Sequence, residues 1–232
     1  MRTADPATAP SFLLLHGAAT TGAIWAAVRG ELGERPVLTP NRPSTGDLAG
    51  ELAALRAAVE AAARPEAPAP APASPVVFGG VSGGATLGLA ALAAGVPLAA
   101  AVLHEPAVGS LLPGLLAPMA AAFESGGVAA FGRALYGGRW QPSDAPTDPG
   151  AVARDLAMFL RFEPAAPKPT PGTVVVTVGE KSPDFRHRAA ELLRRELGMT
   201  VQVLPGCGHA AHLEAPGEFA ARLLEAAGSL DH

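Results

Sequence analysis

Short apolar runs alternate with longer stretches in which apolar residues recur every three or four positions. Ser11–His16, Val37–Pro40, Val76–Gly79, Leu98–His104, Thr173–Val178 and Thr200–Leu204 have the length and composition of buried strands. Between them lie helical patterns. Ala23–Leu32 is closed by Gly33, and a second helix runs from the cap Asp47 to about Ala63, with Leu48, Leu52, Leu55 and Val59 on one stripe. Ala85–Ala94, Arg186–Leu197 and Pro216–Ala227 follow the later strands, the last with Phe219, Leu223 and Leu224 on its apolar side. Strands that alternate with helices predict an α/β fold: a mostly parallel six-stranded sheet with helices on both faces.

The alternation stops between Pro106 and Pro171. There Leu111–Phe123, Val128–Tyr136 and Ala151–Phe162 read as helices, which predicts a helical lid, residues 106–171, inserted in a single domain spanning 1–232. The Pro-Ala tract Arg64–Pro75 favours extended polyproline backbone and reads as a surface connection.

The net charge of −4 comes without a Lys/Arg cluster, so neither a nucleic acid nor an anionic membrane is an expected partner. Met1–Pro10 lacks the apolar core of a signal peptide, and no run is long enough for a membrane span, so a cytoplasmic location is expected. A single cysteine, Cys207, excludes an intrachain disulfide framework.

The chemistry gathers in three loops, each after a predicted strand. Gly80-Val81-Ser82-Gly83-Gly84 fits the pattern G-x-S-x-G, in which a sharp strand-to-helix turn exposes a nucleophilic serine. With 27 glycines in the chain the string alone carries little weight; the strand before it and the helix after it give it weight. Ser82 needs a base, and Gly206-Cys207-Gly208-His209 follows the last strand, where a loop can deliver an imidazole to the same sheet edge. The loop His16-Gly17-Ala18 follows the first strand and can supply the Ala18 N–H as one oxyanion donor, with the Gly83 N–H as the other. His16 and His212 read as histidines that support their loops by hydrogen bonding. Cys207 lies too close to His209 to serve as nucleophile, and no metal or other cofactor is expected, because the His209/His212 pair lacks a third ligand.

These pieces resemble the α/β-hydrolase superfamily: the His16-Gly17 loop with Trp25 downstream, the Ser82 turn, and Gly208-His209 followed by Glu214, Pro216 and Phe219. The resemblance implies a lid over the active site and a triad acid. Its commonest place is held here by Ser182, in Gly179-Glu180-Lys181-Ser182. The family's other solution puts the acid after the strand that follows the nucleophile helix, where Glu105 stands; Asp184 is the alternative. The expected activity is a serine hydrolase acting through an acyl-enzyme on a small or medium apolar ester, thioester or lactone. Lid residues such as Met119, Phe131, Leu135 and Phe159 would supply apolar lining. Two alternatives stay open: a tailoring reaction on the same scaffold (cyclase, lyase, acyltransferase or carbon–carbon hydrolase) and a non-catalytic ligand-binding member.

Overall fold

Along the first strand Phe12 and Leu14 pack to one side while Leu13 and Leu15 pack to the other, because side chains alternate across a sheet. The same alternation separates Val77 from Phe78 and Val102 from Leu103. Both faces are therefore buried, as a parallel sheet requires. The computed structural model describes residues 9–64 and 73–231 of the 232-residue chain, and most of the Pro-Ala tract lies outside them.

Six strands form one sheet: β1 (Ser11–Leu15), β2 (Val37–Leu38), β3 (Val76–Val81), β4 (Ala100–His104), β5 (Val174–Gly179) and β6 (Thr200–Leu204). Their order is β2-β1-β3-β4-β5-β6, and every neighbouring pair is parallel. The helices are α1 (Ala26–Leu32), α2 (Leu48–Ala62), α3 (Gly83–Ala93), α4 (Ala117–Tyr136), α5 (Ala151–Phe159), α6 (Asp184–Leu197), α7 (Ala211–Glu214) and α8 (Pro216–Gly228). Leu55 and Val59 of α2, Leu87 of α3 and Leu193 of α6 cover one face, and Val28 of α1 with Phe219 and Leu223 of α8 cover the other. Each fully buried Leu or Phe among these contributes about 1.5–3 kcal/mol by leaving water. Asp47 caps α2 as expected, accepting the Gly50 N–H at 2.8 Å.

Between β4 and β5 the described chain is helical, and a third apolar cluster joins it to the sheet's carboxyl edge. Phe131, Leu135, Tyr136 and Trp140 pack there with Val152 and Leu156 against Ala18, Ala19 and Ala210. The first predicted helix of this region is corrected: it starts at Ala117, not Leu111. Pro113 and Gly114, the latter at φ 82°, turn the chain first, and Pro118 sits in the opening turn of α4, where a missing N–H costs nothing. Gly126 and Gly127 are non-helical, so α4 is two helical pieces across a kink. The predicted break before Val128 falls at that kink.

Candidate active site

Ser82 is the single residue between β3 and α3. Its φ of 53° and ψ of −118° lie where L-residues are strained. The helix can begin so abruptly because Gly84 has no side chain: a Cβ there would run into the Leu15 carbonyl. Glu105 leaves the neighbouring strand in the same way. Val81 and His104 are register partners, so Ser82 and Glu105 step off adjacent strands at the same level, and Glu105 also has a left-handed φ of 49°. Their backbones are tied across the sheet, Ser82 N–H to the His104 carbonyl at 2.9 Å and Glu105 N–H to the Thr177 carbonyl at 3.0 Å.

His209 stands in the loop after β6, and its Nδ1–H donates to Glu105 Oε2 at 2.6 Å. Glu105 Oε1 accepts the Gly179 N–H at 3.1 Å and the Ser182 hydroxyl. The serine at the family's usual acid position thus serves as a donor to an acid from the next strand. Burial alone would raise the Glu105 pKa. The bond from His209, with the charges of His209, His104 and Arg186, outweighs it and holds the carboxyl well below the usual range. Burial, then the Arg186 charge, pushes His209 down, with Glu105 pulling the other way. The loop itself is fastened by the Gly208 N–H on Glu214 Oε2 at 2.8 Å and by the Gly208 carbonyl, which accepts from His104 Nε2 at 3.0 Å. His104 Nδ1 then accepts from the Thr177 hydroxyl at 3.0 Å, and burial holds this imidazole neutral, at about 4.

Among the described residues His209 Nε2 has no hydrogen-bond partner; Ser82 and His209 share the sheet edge without a bond between Oγ and Nε2. Asp184, the alternative acid, is exposed as the first residue of α6, and the structure does not bring it to His209.

The loop after β1 is held by His16 and by residues that no motif signalled, Thr20 and Arg42. The Gly17 carbonyl accepts from His16 Nδ1 at 2.9 Å, the Thr20 hydroxyl at 3.1 Å and Arg42 Nη2 at 3.4 Å. In a planar trans peptide the carbonyl and the next N–H point oppositely, so pinning Gly17 O turns the Ala18 N–H away from those donors. That N–H lies beside the serine turn, since a Cβ built on Gly83 would sit 3.4 Å from Ala18 N. His16 supports its loop as expected, its Nε2 accepting the Arg42 N–H at 3.0 Å. Tyr136 of α4 donates to the Ala18 carbonyl at 2.9 Å, and Trp140 Nε1 donates to the Ala19 carbonyl at 2.8 Å.

Arg42 also pairs with Asp155 of α5 and lies 3.6 Å from Glu51 of α2, and all three are buried. Asp155 left one trace in the sequence: it shares the buried stripe of α5 with Val152, Leu156 and Phe159. Arg42 left none, because its partners stand far away in the chain.

A pocket of about 380 Å³, counted to its open mouth, lies over Ser82. Ala18, Gly83, Thr86 and Glu105 form its floor with Ser82; Met119, Phe131, Leu135 and Phe159 form apolar walls; Arg186 adds a cation. His212 does not support its loop by hydrogen bonding: both ring nitrogens lack partners among the described residues, and the ring packs on Trp25 and Tyr136 with centroids at 5.1 and 5.8 Å. The Cys207 thiol is buried, and that burial pushes it up to about 11, so it is protonated at neutral pH. Among the described residues no group of three His, Cys, Asp or Glu could hold a metal ion, and no helix is long and apolar enough to cross a membrane.

The sequence profile described as the Alpha/beta hydrolase family matches residues 12–222. No curated protein matches the chain. Among solved structures, MenH from S. aureus is 14% identical, with a TM-score of 0.70 over 97% of this chain and 96% of that one. A lipase-esterase related protein from Clostridium acetobutylicum is 10% identical, with a TM-score of 0.70 over 94% of this chain and 95% of that one. NosK from Streptomyces actuosus is 22% identical, with a TM-score of 0.64 over 97% of this chain and 100% of that one. At these identities the structural likeness speaks for the fold. The family profile spans all three loops that hold the candidate residues, and the chain belongs to the alpha/beta hydrolase family.

Proposed function

We propose that the protein is a serine hydrolase that cleaves a small or medium ester, thioester or lactone through an acyl-enzyme on Ser82. The observation that carries this reading is the 2.6 Å bond from His209 to a Glu105 that steps off the strand beside the strained Ser82 turn. A carboxylate on Nδ1 fixes the imidazole tautomer whose Nε2 lone pair is free to take a proton, and it stabilises the imidazolium that follows. In the first step Ser82 Oγ bonds to the acyl carbon as its proton passes to His209 Nε2. The carbonyl oxygen becomes an oxyanion facing the Ala18 and Gly83 N–H groups, which need no reorganisation to meet it. Collapse breaks the bond to the leaving group, which takes the proton from His209. Water, giving its proton to the same nitrogen, then releases the acid and restores Ser82.

Labelling with a fluorophosphonate and turnover of para-nitrophenyl butyrate test this. The parent protein should be labelled at Ser82. Ser82→Ala should lose the label and at least about a thousandfold in kcat. A folded parent that takes no label, or a Ser82→Ala protein with unchanged turnover, sinks the proposal.

A further inference from the structure

Arg186 projects from the first turn of α6, is only 7% exposed and lines the Ser82 pocket. Its nearest acidic group is Glu105, with Nε 3.6 Å from Oε2. That carboxylate is already occupied: Oε2 takes His209 Nδ1, and Oε1 takes the Gly179 N–H and the Ser182 hydroxyl. Among the described residues none of the Arg186 side-chain N–H groups makes a hydrogen bond, although the guanidinium is held over the Phe185 ring at 5.6 Å. A guanidinium carries five N–H donors in a rigid fork, and leaving them unmade in a buried place is expensive. Its unpartnered nitrogens each keep some accessible surface, and the side chain lines the Ser82 pocket, where a bound molecule would meet it.

We infer that Arg186 is the anchor for an anionic group of the substrate, and that the pocket takes an acyl compound with an apolar body and a carboxylate. This rests on the reading of Ser82 as nucleophile and narrows its substrate class. A planar carboxylate matches the fork in two parallel bonds, and the apolar walls of Met119, Phe131 and Leu135 accept the rest of the molecule. Glu105 keeps the guanidinium charged and in place without consuming its donors.

Two arms test the inference. In the first, the mono-para-nitrophenyl ester of glutaric acid competes with para-nitrophenyl hexanoate. The parent should prefer the charged ester in kcat/KM by at least about tenfold, and Arg186→Gln should bring that ratio to about one or below. In the second, calorimetry on the Ser82→Ala protein compares phenylbutyrate with phenylbutyramide. The carboxylate should bind at least about tenfold tighter, and adding Arg186→Gln should erase the difference. Arg186→Lys, which keeps the charge, serves if the Gln variant fails to fold; it should retain a smaller preference. Equal binding of acid and amide, or a preference that survives Arg186→Gln, overturns the inference, as does an Arg186→Gln variant that loses both esters in the same proportion. Because the second arm needs no turnover, a preference for the acid in a protein that takes no fluorophosphonate would count against the acyl-enzyme alone.

Discussion

Glu105 and Ser82 both hold left-handed backbones that an unconstrained side chain avoids, and they do so on adjacent strands at one register level. Ala19 and Ser44 share that conformation, the first in the loop beside Ser82 and the second bonded to Asp155 at 3.3 Å. Such strain persists only where the surroundings over-determine it, and two of the four residues, Ser82 and Glu105, line the same pocket. Under the proposed mechanism Glu105→Gln keeps the shape of the acid and loses its charge. It should lower kcat by roughly 10³–10⁴-fold, while Asp184→Asn, exposed on α6, should stay within about twofold of the parent. The acid limb of kcat/KM carries a further expectation. Burial and the Arg186 charge lower the His209 pKa, so the imidazole stays neutral below its ordinary value of 6.5. The rate should therefore hold as pH falls through about 6.5 and decline only in more acid solution. An acid limb centred above that value contradicts the electrostatics of this loop.

Secondary elements were legible where periodicity was clean. Thr200–Leu204 and the α2 stripe lie where the pattern puts them, because a short β-branched run and a helix with one buried stripe leave direct traces, although β6 is an edge strand on which only Leu204 is buried. The start of α4 was not legible from Leu111, since a run of leucines does not reveal that Pro113 and Gly114 turn the chain first. The dock between α5 and the β1 loop was equally silent: Arg42 and Asp155 stand 113 positions apart, and only folding makes them a pair. Glu105 was legible only through resemblance to a family, because nothing in its own neighbourhood marks an acid whose partner is His209. The α5 dock yields a prediction at this scale. Removing Asp155 leaves Arg42 buried with Glu51 alone, at 3.6 Å. Asp155→Ala should cost about 3–5 kcal/mol, read as a lower urea midpoint at unchanged slope. A loss under about 1 kcal/mol would mean that water replaces the carboxylate there.

At the scale of the molecule, the carboxyl edge of the sheet holds buried histidines that fold neutral. Burial lowers His16 and His212 to about 3 and His104 to about 4. In the unfolded chain each regains a value near 6.5, so between these limits the unfolded state binds more protons and stability rises with pH. Glu105 acts with the same sign, because its depressed pKa stabilises the fold above the ordinary carboxylate value and loses that contribution as acid protonates it. The unfolding temperature should therefore be flat above about pH 6.5 and fall steeply from there toward pH 4. Calorimetry across that range checks it; a midpoint unchanged at pH 4.5 contradicts the picture of histidines folded in their neutral form.

The bond between Glu105 and His209 joins positions 104 apart, and it has a consequence for how the chain is made. Translation completes the serine turn while the base that arms it has yet to be translated. Ser82 and Glu105 step off the neighbouring strands β3 and β4, whereas His209 follows β6, the last strand of the sheet in the chain. Under the proposed mechanism a chain still on the ribosome, or one cut short before His209, carries a serine without a base. On that mechanism the serine gains its base only once His209 has been made, and chains ended before it leave no active fragment behind.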